Sequence, residues 1–256
     1  MIALITGASS GIGRDMSRYL SKLGYDLIIT ARNRANLEDL KTELEKENKI
    51  KVDVIPKDLS KEEECKSLYE EVKQKYENID ILINNAGFGL CGDFTQTSLD
   101  FELSMINTNI KAVHILTKLF LKDMVSQDKG RILNVASVAA FMPGPLMATY
   151  YSTKVYVLRL SLAIKEELKK KHSNVKISVL CPGPVNTNFN NVANVKFALK
   201  GLSSQYVAKY GIDKMLKNKT IISVGWGIKF VRLFSKILSD SLMAKFCYNM
   251  QKRKVQ

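Results

Sequence analysis

The chain has 256 residues, 46% of them hydrophobic, enough to bury a core in one large α/β domain or two small ones. Its four cysteines form no Cys-x-x-Cys pair and its two histidines belong to no His-Glu-x-x-His, which argues against zinc sites, a disulfide framework or a histidine triad and suits a reducing cytosol. The net charge of +14 suits phosphates, acidic proteins, nucleic acid or anionic lipid as well as it suits a solvated lysine surface, but no helix-turn-helix, zinc finger or basic–aromatic stripe supports nucleic acid.

The first predicted strand, Met1 to Thr6, has neither the basic region nor the cleavage site of a signal peptide, and a cytoplasmic protein is expected. It leads into Thr6-Gly7-Ala8-Ser9-Ser10-Gly11-Ile12-Gly13. A helical pattern follows, with Met16, Tyr19, Leu20 and Leu23 on one side, closed by Gly24. Strand, glycine turn and helix together make a dinucleotide site credible, because the helix N-terminus offers free N–H groups to a pyrophosphate. The spacing is Gly-x-x-x-Gly-x-Gly.

A second strand, Asp26 to Ala31, ends in Arg32 and Asn33. An acid there suits the ribose hydroxyls of NAD, whereas a guanidinium suits a phosphate. NADP(H) is therefore expected, with NAD(H) as the alternative. Leu37, Leu40 and Leu44 mark the next helix, and Val52 to Ile55 the third strand. Asp58 and Leu59 follow; Asp58 suits either an adenine amino group or a turn. Ser60-Lys61-Glu62-Glu63 has the form of a capping box. A fourth strand, Ile79 to Ile83, ends in Asn84-Asn85-Ala86-Gly87, which suits close packing beside a nucleotide. The rhythm βαβαβαβ calls for a parallel sheet with right-handed crossovers.

A long helix is predicted from Leu99 to Val125, with Asn107 and Asn109 among apolar residues. The next strand, Arg131 to Ala136, places Ser137 at its carboxyl edge, where ligands bind in open α/β sheets. In Tyr150-Tyr151-Ser152-Thr153-Lys154 a phenol and an amine lie one helical turn apart. A neighbouring ammonium is expected to lower the phenol's pKa toward the range of a general acid–base catalyst. Tyr151 also shares a face with Lys154. Phe141, Met142, Leu146 and Met147 supply apolar surface before this helix.

The sixth strand, Val175 to Cys181, is broken by Pro182-Gly183-Pro184-Val185, with Thr187 beyond. Phe189, Val192, Val195, Phe197, Ala198 and Leu199 add apolar surface. Thr220 to Val224 forms the last strand. A basic amphipathic stretch at 226–256, carrying Phe230, Leu233, Phe234, Ile237, Leu238 and Leu242, suits an anionic membrane, a second subunit or a cover for the active site.

In order and spacing, Thr6–Gly13, Asn84–Gly87, Asn109, Ser137, Tyr150, Lys154 and Pro182-Gly183 resemble the short-chain dehydrogenases/reductases, over residues 2 to about 190. The resemblance implies one doubly wound, Rossmann-type α/β domain over 1–256, with a seven-stranded, mainly parallel sheet and helices on both faces. It implies that Tyr150 exchanges a proton with the substrate oxygen, Ser137 hydrogen-bonds that oxygen, and Lys154 tunes the tyrosine and binds the nicotinamide ribose. Asn109 would hold a water that relays protons to Lys154. It stands eight residues before Thr117 as the family pattern requires, although Ala112 replaces that pattern's glycine. The spacing favours Tyr150 over Tyr151. Gly7, Ser9, Ser10, Gly11, Ile12, Gly13, Arg32, Asn33, Asp58, Leu59, Asn85, Ala86 and Gly87 would bind the cofactor. Pro182, Gly183, Val185 and Thr187 would back its nicotinamide, and 188–218 would form a substrate lid. The expected activity is reversible reduction of an apolar ketone or aldehyde by a homo-oligomer, dimer or tetramer. A 3-oxoacyl reductase serving a carrier protein or coenzyme A, and a non-catalytic NADP(H) sensor, are the rival readings.

Overall fold

The computed structural model describes the chain apart from residues 188, 190–192, 194–200, 236 and 256, and apart from the side chains at 226, 229 and 253–255. The first half alternates strictly: β1 (Ile2–Thr6), α1 (Gly11–Lys22), β2 (Asp26–Thr30), α2 (Arg34–Glu47), β3 (Val52–Val54), α3 (Glu62–Lys75) and β4 (Ile81–Asn84). Then come α4 (Leu99–Ile106), a π-helical turn (Asn107–Ala112), α5 (Val113–Ser126), β5 (Arg131–Val135), a 3₁₀ turn (Val138–Phe141) and α6 (Ala148–Lys170). The remainder comprises β6 (Lys176–Pro182), β7 (Val185–Asn186), β8 (Leu202–Ser203), α7 (Ser204–Leu216), β9 (Ile221–Val224), α8 (Trp226–Phe234) and α9 (Asp240–Val255).

Seven strands make one sheet in the order β3-β2-β1-β4-β5-β6-β9, and every pair is parallel. The sheet is thus wholly parallel, where the sequence suggested mainly parallel. All seven strands occur where the apolar runs predicted them, shifted by a residue or two at the ends. β7 and β8 pair separately, as a short parallel ladder.

Strand side chains alternate between faces, and each face has its own helices. Ala3, Ile5, Leu27, Ile29 and Ile83 point toward Met16 and Leu20 of α1, Leu37 and Leu40 of α2, and Val207 and Ile212 of α7. Leu4, Ile28, Leu82, Ile132 and Ile177 point toward Leu68 of α3, Phe120 of α5 and Leu168 of α6. The long helix predicted from Leu99 is continuous in course but contains the π turn, and Asn109 lies fully buried within it. α7 packs on α1, with Val207 and Ile212 against Met16 and Leu20. The calls on Val192, Val195, Phe197, Ala198 and Leu199 lie outside the described residues.

Between β4, β5 and α6 lies a buried polar knot. Asn134 Oδ1 accepts from Asn84 Nδ2 at 2.8 Å, and Asn134 Nδ2 donates to Ser161 Oγ at 3.0 Å. Truncating Asn134 removes both bonds and leaves a small void, while Asn84 Nδ2 keeps Thr117 Oγ1 at 3.0 Å and Ser161 Oγ keeps Val157 O at 2.8 Å; each bond lost is worth about 0.5–1.5 kcal/mol. Asn134→Ala is expected to lower unfolding free energy by about 2–3 kcal/mol with an unchanged denaturant slope in urea melts.

Candidate active site

The site is a cleft of about 590 Å³ along the carboxyl edge of the sheet. Its floor is the turn between β1 and α1. Thr6 Oγ1 donates to Ile83 O at 3.3 Å and accepts from the N–H groups of Asn85 and Ala86, both at 3.0 Å. Asn85 Nδ2 donates to Thr6 O at 3.0 Å and Gly7 O at 3.2 Å. The two chain segments are so close that a Cβ at Gly13 would lie 2.4 Å from Gly7 O and from Asn85 Nδ2. Gly7 itself has φ +66°, a left-handed conformation that favours glycine. Ser10 precedes α1 in extended conformation without a side-chain cap. The first-turn N–H groups are left for another acceptor, at the positive end of the helix dipole. This uncapped, Cβ-free cradle fits a dinucleotide pyrophosphate.

Gly7, Ser9, Ser10, Gly11 and Ile12 line the cleft, and Gly13 lies beneath them as packing. Arg32 and Asn33 line its far end with Asp58 and Leu59. Arg32 is exposed and makes no ion pair with any described residue, whereas Arg34 pairs with Glu38 at 3.6 Å. Asn33 caps α2, accepting from Asn36 N at 3.0 Å. The capping box expected at Ser60 does not form. Ser60 Oγ donates to Asp58 Oδ1 at 2.8 Å, α3 starts at Glu62, and Glu64 accepts from Asp58 N at 2.6 Å. Asp58 is therefore a turn residue as well as part of the cleft wall. Burial acts to raise its carboxyl's pKa, but Ser60's hydrogen bonds and the charge of Arg32 outweigh this and hold it below the usual range.

At the other end stand Ser137, Tyr150 and Lys154. Ser137 follows β5 and caps the 3₁₀ turn, accepting from Ala139 N at 3.2 Å. Its hydroxyl lies near enough to the Tyr150 phenol to act on its pKa. Lys154 Nζ donates to Val135 O at 3.1 Å and lies 5.7 Å from the centre of the Tyr150 ring. The sequence led us to expect a lowered tyrosine pKa, and the structure corrects this. Burial pushes the phenol up to about 12 against the lowering effect of Ser137. Burial also brings the Lys154 amine down to about 8. In so dry a site desolvation outweighs the attraction between the two charged forms, and at neutral pH Tyr150 is a phenol with its proton in place.

Asn109 does not line the cleft. Its Nδ2 donates to Phe88 O at 2.9 Å and Thr153 Oγ1 at 3.1 Å, and its Oδ1 accepts from Phe88 N at 3.1 Å. Thr153 in turn donates to Tyr150 O at 2.7 Å. Asn109 therefore braces the turn that carries Tyr150. One Oδ1 lone pair remains; Oδ1 and Lys154 Nζ lie 2.9 and 3.4 Å from where a Cβ on Gly87 would sit. Tyr151 also faces the cleft, but its hydroxyl accepts from Gln251 Nε2 of α9 at 2.7 Å.

Asn85, Ala86, Gly87, Pro182, Gly183, Val185 and Thr187 complete the wall. Met142, Met147 and Phe189 form an apolar end, while Phe141 and Leu146 do not reach it. Lys57, Phe88 and Thr108 also line the cleft, and so do Ile228, Val231 and Met250 from α8 and α9. Nothing local in the sequence singles them out; Lys57 only adjoins Asp58. The C-terminal stretch, whose role the sequence left open, packs its inner face on the site. Met243, Cys247 and Gln251 of α9 are buried there.

The short chain dehydrogenase family model matches residues 1–197. The chain belongs to the short-chain dehydrogenase/reductase family. Such enzymes are oxidoreductases of alcohol and carbonyl groups, and so is this one. The chain is 36% identical to human 17-beta-hydroxysteroid dehydrogenase type 3 over 202 residues, 77% of this chain but only 63% of that protein. Among solved structures it resembles a short-chain dehydrogenase from Sphingobium yanoikuyae in complex with NADPH, with TM-score 0.84, 25% identity and 94% of each chain covered. It also resembles the bulky-bulky ketone specific alcohol dehydrogenase from Comamonas testosteroni, with TM-score 0.80, 26% identity and 94% and 93% of the two chains covered.

The buried amine has a consequence for stability. The folded pKa of Lys154, about 8, lies below its ordinary 10.5. Between these values the unfolded chain holds more protons, so the destabilising contribution present below pH 8 fades as pH rises toward 10.5. Relative to Lys154→Met, the wild type is expected to gain on the order of 3 kcal/mol across that window. Paired urea melts at each end check this, and a constant difference contradicts it.

Proposed function

We propose that the chain is an NADPH-dependent reductase of apolar ketones or aldehydes, working reversibly on the corresponding alcohols. The observation that carries this reading is one cleft with three parts. An uncapped glycine cradle, with an arginine that makes no ion pair among the described residues, lies at one end, Ser137 with the buried Tyr150 and Lys154 at the other, and apolar side chains beyond them. The fit of the cradle to a pyrophosphate, and the NADPH named for the Sphingobium structure, support a nicotinamide cofactor. The guanidinium of Arg32, exposed and in no ion pair among the described residues, supports the 2′-phosphate form.

In this reading Gly7, Ser9, Ser10, Gly11 and Ile12 hold the pyrophosphate, with Gly13 packing behind. Arg32 and Asn33 hold the adenosine ribose end, and Asp58 and Leu59 the adenine. Asn85, Ala86 and Gly87, with Pro182, Gly183, Val185 and Thr187, enclose the nicotinamide end. The cofactor supplies the hydride. Ser137 and Tyr150 both donate to the substrate oxygen, and Tyr150 gives up its proton as that oxygen gains charge. The Lys154 ammonium then stabilises the phenolate, which burial otherwise disfavours. Lys154 also reaches the nicotinamide ribose, and the spare Oδ1 lone pair of Asn109 offers a seat for a water leading to Lys154. In the alcohol-oxidising direction the phenolate takes the proton back.

The apolar end, lined by Met142, Met147, Phe189, Ile228 and Val231, supports bulky apolar substrates. The steroid and bulky-ketone activities named for the human and Comamonas relatives agree with that size class. The +14 charge keeps one other reading in view, a 3-oxoacyl reductase docking an acidic carrier. Saturation by carrier-bound substrate far below the concentration needed for free ketones is the result that selects it.

Tyr150→Phe is expected to lower kcat about 10²–10⁴-fold, the usual worth of a general acid. Tyr151→Phe, which loses only the bond to Gln251, is expected to keep kcat within about tenfold. Loss of turnover in the second variant alone refutes the assignment. Arg32→Ala is expected to lower kcat/KM for NADPH by about 10–100-fold and leave NADH unaffected, since a charge-assisted phosphate bond is worth about 1.5–3 kcal/mol. Equal use of both cofactors by the wild type in initial rates removes the preference.

A further inference from the structure

The outer face of α8 and α9 plays no part in the cleft. α8 turns Ile228 and Val231 inward. Its other side presents Phe230, Leu233 and Phe234, continued by Ile237 just past its end, at 58%, 54%, 50% and 71% exposure. The spacing i, i+3, i+4, i+7 makes these a second apolar stripe on the same short segment, facing away from the protein. In α9, Met243, Cys247 and Gln251 point inward, while Leu242 and Phe246 point outward at 52% and 64% exposure. An exposed apolar surface of this extent marks an interaction site. Its charges are mostly of one sign: Lys245 and Lys252 of α9 are exposed, and Asp240 is the only acidic residue in the sequence from 226 to 256.

We propose that this face docks on an anionic lipid bilayer. Phe230, Leu233, Phe234, Ile237, Leu242 and Phe246 enter the headgroup region, and the basic side chains meet the lipid charge. Charge decides between occupants. A second copy laid on this face would bring basic groups against basic groups with almost no acid to receive them, whereas an anionic surface complements them. No helix among the described residues is long and apolar enough to cross a membrane, so the contact is interfacial. The helices that roof the apolar cleft from inside are then the ones that touch lipid from outside. A lipid-dissolved carbonyl compound would have a short path from bilayer to Tyr150. That last step rests on the function proposed above; the docking does not.

The test is co-sedimentation of the full chain with vesicles of phosphatidylcholine alone and of phosphatidylcholine with phosphatidylserine at about 7:3. Anionic vesicles are expected to carry down at least about tenfold more protein than neutral ones. The double variant Ile237→Asp/Phe246→Glu is expected to lose that binding about tenfold or more while keeping its melting temperature. Lys245→Glu/Lys252→Glu is expected to weaken anionic binding by a similar factor. Sedimentation that is the same with and without vesicles overturns the proposal. So does a concentration-dependent dimer that Ile237→Asp/Phe246→Glu dissociates. Because binding is read without substrate, failure here is distinct from failure of the carbonyl reading.

Discussion

Everything in the cleft depends on how closely two strand ends approach. β1 and β4 are sheet neighbours, and their carboxyl ends are stitched by Thr6 and Asn85. The stitch leaves no room for a Cβ at Gly13. It sets the start of α1 against the β4 loop, so that an uncapped helix end and the Asn85–Gly87 loop face the same space. β1 has β2 on one side and β4 on the other, so successive crossovers run to opposite faces and a crevice opens there. Were the stitch loosened, the phosphate end and the chemistry end would no longer share one wall.

The chemistry end is governed by dryness. Tyr150 and Lys154 are both buried, and each is pushed toward its neutral form. A phenol that holds its proton at rest is suited to donating it to an oxygen that is gaining charge, and the ammonium beside it then has an anion to stabilise. The cost of keeping these groups dry is carried by packing around them. Asn109, Thr153 and the carbonyls of Val135 and Tyr150 fix the backbone and side chains so that few polar atoms in the turn lack partners.

The C-terminal helices show how one segment can serve two environments. Their inner faces finish the apolar end of the cleft and hold Tyr151 through Gln251. Their outer faces are apolar as well, which a folded monomer in water does not need. The proposed lipid contact gives both faces a single purpose, delivery of an apolar substrate into an apolar cleft.

Local pattern alone determined a good deal of this protein. Seven apolar runs separated by helical periodicities specify the doubly wound sheet, because period and spacing are properties of adjacent residues. Gly7, Gly11 and Gly13 between a strand and a helix specify a phosphate cradle for the same reason, and Tyr150 and Lys154 fall one turn apart wherever their helix lies. Only the tertiary structure decided what depends on distant partners. The direction of the Tyr150 shift comes from burial by many segments, not from its neighbour Lys154. Ile228, Val231, Met250 and Gln251 joined the cleft from far along the chain, and a contact across a hundred residues leaves no trace in local spacing.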